Sequence, residues 1–329
     1  MSKIPIKQEV LAVTIVTGAV ALVLVLGCLI FEWIIYQRLT RIDPTSSSNL
    51  RNRPDDFKVL GNPYESFDTK PYAMPVFENV SIASRQLGVR LAGWNIAGNP
   101  SAPAVLLIHG WRQGSFDSNV LTPAGMLHRH GFNILLIDLR NHGRSTVVNG
   151  HAGFGTTEYQ DVLGAWDWLV SEKGFSPGRI GVYGVSMGAV TALIAMAGEP
   201  RIAAVFVDSP FFDVKQLLEE QVAHKRLPRF LARGSLLLGR ALVGDDLSSR
   251  SPQDAFRSHA GRPIYMVHST ADKYMDVSHQ QAYIALAKRT GANAVFWLTE
   301  GAGHVNSEFM LPEEYERRLT EFFGKALGK

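Results

Sequence analysis

Cysteine is almost absent: Cys28 stands alone, so no intramolecular disulfide can form and the fold must be held by its core. Neither sign of charge dominates, since 33 Lys and Arg against 30 Asp and Glu leave a formal net charge of +3. That excess is too small and too scattered for a nucleic-acid surface, and no zinc-finger or base-stacking pattern accompanies it. A dinucleotide fingerprint, a phosphate-binding loop and a metal-ligand cluster are all missing, so neither cofactor nor metal is expected. There is no internal repeat. What is present is a chain of 329 residues, 46% apolar and 19% charged, which is ordinary for a globular protein with room for one large domain and extras.

Charge is missing altogether from residues 10–31. As a helix rising ~1.5 Å per residue, this run would cross the ~30 Å hydrocarbon layer of a bilayer. Trp33 and Tyr36 follow, where interfacial aromatics belong. The run is longer than the apolar part of a signal peptide, and no small-residue cleavage site follows it. Val25-Leu26-Gly27-Cys28 is a poor lipidation box, because Leu26 is large and apolar residues continue to Phe31. Residues 1–39 are therefore read as the membrane anchor of a single-pass protein. Lys3 and Lys7 before the run, against Arg38, Arg41, Arg51 and Arg53 after it, lean toward a cytoplasmic catalytic domain. Residues 40–70 lack apolar periodicity and read as a polar tether; residues 71–329 read as the folded domain, beginning near Tyr72.

Within that domain one stretch organises the rest. A β-favouring run at 180–183 meets Gly184-Val-Ser186-Met-Gly188, and an Ala-rich helical run follows at once. Strand, sharp turn and helix around Gly-x-Ser-x-Gly describe a nucleophile elbow, in which a strained turn lifts the serine hydroxyl above a sheet. Side chains at 184 and 188 would collide where helix and strand come close. On either side, short apolar runs alternate with helical stretches. Residues 76–83 and 89–96 read as an opening antiparallel pair, and 104–108, 132–137, 180–185, 202–208, 263–268 and 294–299 as further strands. Helices are predicted near 117–130, 157–172, 187–198, 278–290 and 312–326. This alternation means an α/β fold, a parallel sheet with helices on both faces and its chemistry at the carboxyl ends of the strands.

Two further candidates sit at such ends. Asp272 follows the strand at 263–268, and His304 lies in Glu300-Gly-Ala-Gly-His304 after the last strand. A serine hydroxyl is a poor nucleophile until an imidazole takes its proton, and a buried carboxylate fixes the imidazole tautomer. Asp272 is the expected acid, with Asp208 and Asp276 as alternatives. The oxyanion donors are expected to be the backbone amides of Met187, just after the nucleophile, and Trp111, in His109-Gly-Trp111-Arg112 after the first parallel strand. His109 reads as a structural support, Trp111 also as an aromatic wall, and His279 as a capping or surface residue.

The ordered set His109-Gly-Trp, Asp138-Leu-Arg-Asn-His-Gly-Arg-Ser145, Gly184-Val-Ser-Met-Gly188, Asp208-Ser-Pro-Phe-Phe-Asp213, His268-Ser-x-x-Asp272 and Gly303-His304 resembles the α/β-hydrolase superfamily. It is most similar to the bacterial serine-hydrolase branch related to the prolyl-oligopeptidase and dienelactone-hydrolase-like groups. The resemblance covers roughly residues 75–325. It implies an eight-stranded, mostly parallel sheet, carries nucleophile, acid and base onto Ser186, Asp272 and His304, and gives Asp138, Arg140 and His142 a structural role. Trp111-Arg112 departs from the small or polar residues that many relatives have after His-Gly.

An insertion at about 211–260 is expected to form a small helical cap. Phe230, Leu231, Leu237, Leu238, Ala241 and Leu242 recur at helical spacing beside Arg226, Arg229, Arg233 and Arg240, although Pro228 and Gly234 weaken the helix. Such a basic amphipathic segment reads as a cap helix packing over the site, and the sharper expectation is that this cap also touches anionic lipid beside the anchor. The expected function is a membrane-anchored serine hydrolase acting on a small-molecule or lipid-like acyl substrate, a carboxylic ester or related bond, through an acyl-serine intermediate. A peptidase, an acyltransferase or thioesterase, and a non-catalytic scaffold are the competing readings.

Overall fold

The computed structural model describes residues 6–45 and 50–329. Lys3, counted above for orientation, and residues 46–49 of the expected tether lie outside the described residues. The chain divides into two compact units, Met1–Arg41 with Leu218–Asp246 and Ile42–Leu217 with Leu247–Lys329. In chain order the elements begin with α1 (Ile6–Thr40), β1 (Glu78–Ala83), β2 (Arg90–Ile96), β3 (Ala104–Ile108), α2 (Ser118–Arg129), β4 (Asn133–Ile137) and α3 (Tyr159–Ser171). Next come β5 (Ile180–Val185), α4 (Met187–Gly198), β6 (Ala204–Asp208), α5 (Val214–His224), α6 (Phe230–Val243) and α7 (Asp254–Arg257). The last are β7 (Ile264–Ser269), α8 (Ser278–Thr290), β8 (Ala294–Thr299), α9 (Ser307–Met310) and α10 (Pro312–Leu327).

The larger unit is built on one eight-stranded sheet of order β1-β2-β4-β3-β5-β6-β7-β8. Strand β2 pairs antiparallel with both β1 and β4, and every later pairing is parallel. This is the eight-stranded, mostly parallel sheet that the resemblance implies. Every residue of β3, β4, β5 and β6 is buried, as their nearly continuous apolar sequences require of strands covered on both faces. Register aligns the strand ends: Val185 pairs with Asp208, Asp208 with Val267, and Ser269 with Thr299. The segments leaving β5, β7 and β8 therefore emerge along one edge of the sheet.

The unit begins earlier than sequence suggests. Phe57, Tyr72 and Met74 are buried in the main core and Val59 is buried as well, so residues 50–70 are not a free tether. Asn52 donates to the Lys58 carbonyl at 2.9 Å and accepts from the Lys58 amide at 3.1 Å, and the Met74 amide donates to the Pro54 carbonyl at 2.7 Å. The expected insertion is also divided. Only Leu218–Asp246 leaves the larger unit, while residues 211–217 and 247–260 belong to it.

In the smaller unit α1 packs against α6. Helix α1 is long and apolar enough to cross a membrane, and its apolar side chains from Val10 to Leu29 are exposed. Close approach explains why α6 tolerates Gly234: a Cβ there would lie 2.0 Å from the Glu32 carboxyl carbon, and one at Gly239 would lie 2.1 Å from the Tyr36 ring. Pro228 falls outside the helix, two residues before its start, where it costs no helical hydrogen bond.

Candidate active site

Strand β5 ends at Val185 and α4 begins at Met187, so Ser186 is the whole of the turn between them. It has φ 53° and ψ −118°, a backbone conformation that non-glycine residues rarely adopt. The surroundings enforce it. The Ser186 amide donates to the Asp208 carbonyl at 2.8 Å, while the Ser186 carbonyl accepts from the Ala189 amide at 3.0 Å. The flanking glycines allow the tight passage: a Cβ at Gly184 would lie 2.4 Å from the Gly188 carbonyl oxygen, and one at Gly188 would lie 2.4 Å from the Ile108 and His109 oxygens.

The structure brings Ser186, His304 and Asp272 together. Ser186 Oγ lies 3.0 Å from His304 Nε2, and His304 Nδ1 lies 2.6 Å from Asp272 Oδ2. With the proton on Nδ1 the imidazole donates to the carboxylate and accepts from the serine hydroxyl. Asp272 Oδ1 accepts from the amides of Tyr274 and Met275, both at 2.9 Å. The Asp272 side chain is fully buried, whereas His304 keeps about 20% of its side-chain surface open. Burial alone would raise the Asp272 pKa. The hydrogen bond and charge of His304, the Met275 amide and His268 outweigh it and hold the carboxyl below the usual range.

The two alternative acids are engaged elsewhere. Asp208 accepts from Tyr315 Oη at 3.0 Å and Ser209 Oγ at 2.9 Å, and burial, opposed by those two hydrogen bonds, pushes its pKa up to about 6. Asp276 accepts from the Ser278 amide at 2.9 Å at the start of α8, and hydrogen bonds from the Ser278 side chain and then this amide lower its pKa. His279 differs from expectation. It is completely buried, and its Nδ1 accepts from the Phe212 amide at 3.1 Å, tying α8 to the segment after β6.

Gly110 lies against Ser186, since a Cβ there would come within 3.4 Å of the Ser186 Cβ. Its amide donates to Gln113 Oε1 at 2.8 Å. The next amide along is that of Trp111. Met187 opens α4, so its N–H has no helical carbonyl one turn earlier. Trp111 stacks toward Phe154, with centroids 6.4 Å apart, and Phe154 meets Phe211 edge-on at 6.1 Å. The Arg112 guanidinium lies 4.0 Å over the Trp111 ring. His109 is buried and accepts from the Leu139 amide at 3.0 Å, with its pKa lowered to about 3 by burial and by His142. The loop bearing Asp138, Arg140 and His142 is internally bonded: Asp138 accepts from Ser115 and Arg144 amides, and Arg140 pairs with buried Asp161 at 2.7 Å.

Sequence reasoning missed Gln113, Phe154, Tyr274 and the pair Asn119 and Glu308. Asn119 Nδ2 donates to the Val305 carbonyl and, at 2.7 Å, to Glu308, which holds the segment after His304. None of these carries a motif. Phe154 shows a positive φ of 50°, which only the folded chain reveals. Among the described residues no group of three or more His, Cys, Asp or Glu side chains could hold a metal ion.

Known proteins resemble this chain in both sequence and fold. The uncharacterized protein YqkD of Bacillus subtilis is 28% identical over 250 residues, 71% of this chain and 75% of its own length. The alpha/beta hydrolase domain-containing protein 17C of Homo sapiens is 27% identical over 208 residues, 62% of this chain and 53% of its own. Among solved structures, an esterase of Pyrococcus furiosus matches with TM-score 0.64 at 24% identity, over 82% of this chain and 97% of that one. A puromycin-hydrolyzing peptidase of Mycobacterium tuberculosis matches with TM-score 0.60 at 16% identity, over 78% and 40%. These structural likenesses are likenesses of fold. The prolyl oligopeptidase family matches residues 115–329, which take in the elbow serine, the buried aspartate and the loop histidine together. The chain belongs to that family, and its larger unit is an α/β-hydrolase fold.

Proposed function

We propose that this chain is a membrane-anchored serine hydrolase that cleaves a carboxylic ester or related acyl bond through an acyl-serine intermediate. The observation that carries the reading is the continuous relay from Ser186 Oγ to His304 Nε2 at 3.0 Å and from His304 Nδ1 to Asp272 at 2.6 Å, hung on a strained elbow. Ser186 Oγ attacks the acyl carbon while His304 Nε2 takes its proton. Asp272 holds the imidazole in the accepting tautomer and steadies the imidazolium. The Met187 and Trp111 amides hold the negative oxygen of the tetrahedral intermediate. His304 then returns the proton to the leaving oxygen, the C–O bond breaks, and the acyl-serine is left. Water, deprotonated by the same imidazole, releases the acid and restores the serine.

Trp111, Phe154 and Phe211 favour an apolar acyl or leaving group beside the nucleophile. The Pyrococcus furiosus protein, named an esterase, shares the fold over most of both chains. A peptidase reading has the family name behind it, and a thioesterase reading has a thiohydrolase of Aspergillus aculeatus, 26% identical over 128 residues. The apolar run of α1 supports the anchor.

The test is fluorophosphonate labelling of the detergent-solubilised full chain beside its Ser186→Ala variant, followed by matched ester, thioester and peptide substrates. Labelling of the wild type alone, with the ester turned over fastest, is the expected result. A folded wild type that resists the probe overturns the serine mechanism, and faster peptide cleavage overturns the ester reading.

A further inference from the structure

From the pairing of α1 with α6 we infer that the α5–α6 corner, residues 225–230, is a second membrane contact that recognises anionic lipid headgroups. The inference rests on reading α1 as a membrane span. Gly234 faces Glu32 and Gly239 faces Tyr36, so the two helices run in the same direction. Phe230 lies four residues before Gly234, about 6 Å back along the axis at the usual helical rise. That places it beside the last turn of the charge-free run of α1, which ends at Phe31. The corner therefore sits where the hydrocarbon layer of a bilayer around α1 gives way to headgroups.

Its chemistry fits that level. Phe230 is 61% exposed, an aromatic residue left largely uncovered. Lys225, Arg226 and Arg229 precede it, all exposed, and among the described residues none has an ion-pair partner. The cations further along α6 are different, because Arg233 pairs with Glu219 at 3.0 Å and Arg240 with Asp246 at 3.3 Å. Unpaired positive charge is thus concentrated at the end of α6 nearest the apolar run. An exposed aromatic side chain preceded closely by exposed cations suits an interfacial anchor: the ring enters the acyl boundary while the cations meet phosphate. A soluble acidic protein could satisfy the three cations, but it would leave unexplained why they lie beside the end of a membrane-length helix.

The test uses the full chain in a Cys28→Ala background, with single cysteines at positions 20, 87 and 230 carrying an environment-sensitive fluorophore. Each is reconstituted into phosphatidylcholine vesicles with or without phosphatidylglycerol and read by quenching from spin-labelled lipid. Position 20 reports the span and position 87, on a surface loop where Leu87 is 98% exposed, the aqueous baseline. The expected result is strong quenching at 20, none at 87, and quenching at 230 that rises with phosphatidylglycerol. It should fall by about two-fold or more in a Lys225→Glu, Arg226→Glu, Arg229→Glu variant. Quenching at 20 with position 230 at baseline overturns this inference alone, as does quenching at 230 that ignores both anionic lipid and the charge reversal. Baseline signal at both 20 and 230 overturns the span reading itself.

Discussion

Asp272→Asn changes one oxygen to nitrogen at the most constrained point of the relay. The carboxylate has two faces: Oδ1 accepts two amides at 2.9 Å, from Tyr274 and Met275, and Oδ2 accepts His304 Nδ1–H at 2.6 Å. An asparagine must turn its carbonyl toward the two amides, because its NH2 group cannot accept from them. The NH2 then faces His304 and donates to Nδ1, so the imidazole proton moves to Nε2. In that tautomer Nε2 no longer accepts from the Ser186 hydroxyl, and the proposed nucleophile loses its base. The equivalent change in the general serine, histidine and aspartate template lowers kcat by ~10⁴-fold, or about 5.5 kcal/mol of barrier. We expect a loss of that order in kcat on a chromogenic ester, with little change in KM. Thermal unfolding of the variant should stay close to the wild type, since both amides keep an acceptor. A loss of less than about ten-fold in a properly folded variant would refute the assignment of the acid.

Three further outcomes follow from the same geometry. In Gly188→Ala the new methyl meets two carbonyl oxygens at 2.4 Å, so the elbow must open; activity should vanish and the unfolding free energy should drop by about 2 kcal/mol or more in denaturant titration. Asp161→Ala leaves the Arg140 guanidinium buried without its carboxylate and should cost about 3–5 kcal/mol, whereas Asp254→Ala, at the exposed pair with Arg257, should stay within about 1 kcal/mol; equal costs would contradict the burial argument. Asp208 is raised from 3.8 to about 6, so between those values the folded state holds more protons than the unfolded one and stability falls as pH rises. Asp208→Asn should therefore gain on the wild type from pH 4 to pH 7 by an amount on the order of 3 kcal/mol, read as the difference between paired denaturant titrations; a difference that does not change with pH would show that the carboxyl titrates normally.

The elbow was legible because several physical demands coincide there. Strand, glycine, serine, glycine and helix each have a local signature, and the close contacts at positions 184 and 188 show that the glycines serve the reason for which they were noted. The fully buried strands announced themselves as nearly continuous apolar runs. Residues 50–70 did not, because Phe57 and Val59 are buried on irregular backbone held by side-chain hydrogen bonds, and such a path leaves no period. His279 was misjudged for a related reason. Its place at a helix start suggested solvent, but its partner is the Phe212 amide, 67 residues away. The choice among three aspartates could be ranked but not closed, since all three lie near strand ends and only side-chain direction separates them. The aromatic wall was half visible: Phe211 stood in a noted motif, while Phe154 depends on a backbone conformation that no residue pattern demanded.

The pairing of α1 with α6 also sets an order of events during synthesis. Glu32 and Tyr36 are made about two hundred residues before Gly234 and Gly239, the positions that receive them. At ~5–20 residues per second, α1 waits on the order of 10–40 s for its mate. By then the chain has passed β6 and carries the elbow serine, but residues 272 and 304 have not yet been made. On the proposed mechanism the nascent protein is therefore chemically silent through most of its translation. Because α6 precedes both residues, the partner of α1 is in hand before the relay can close.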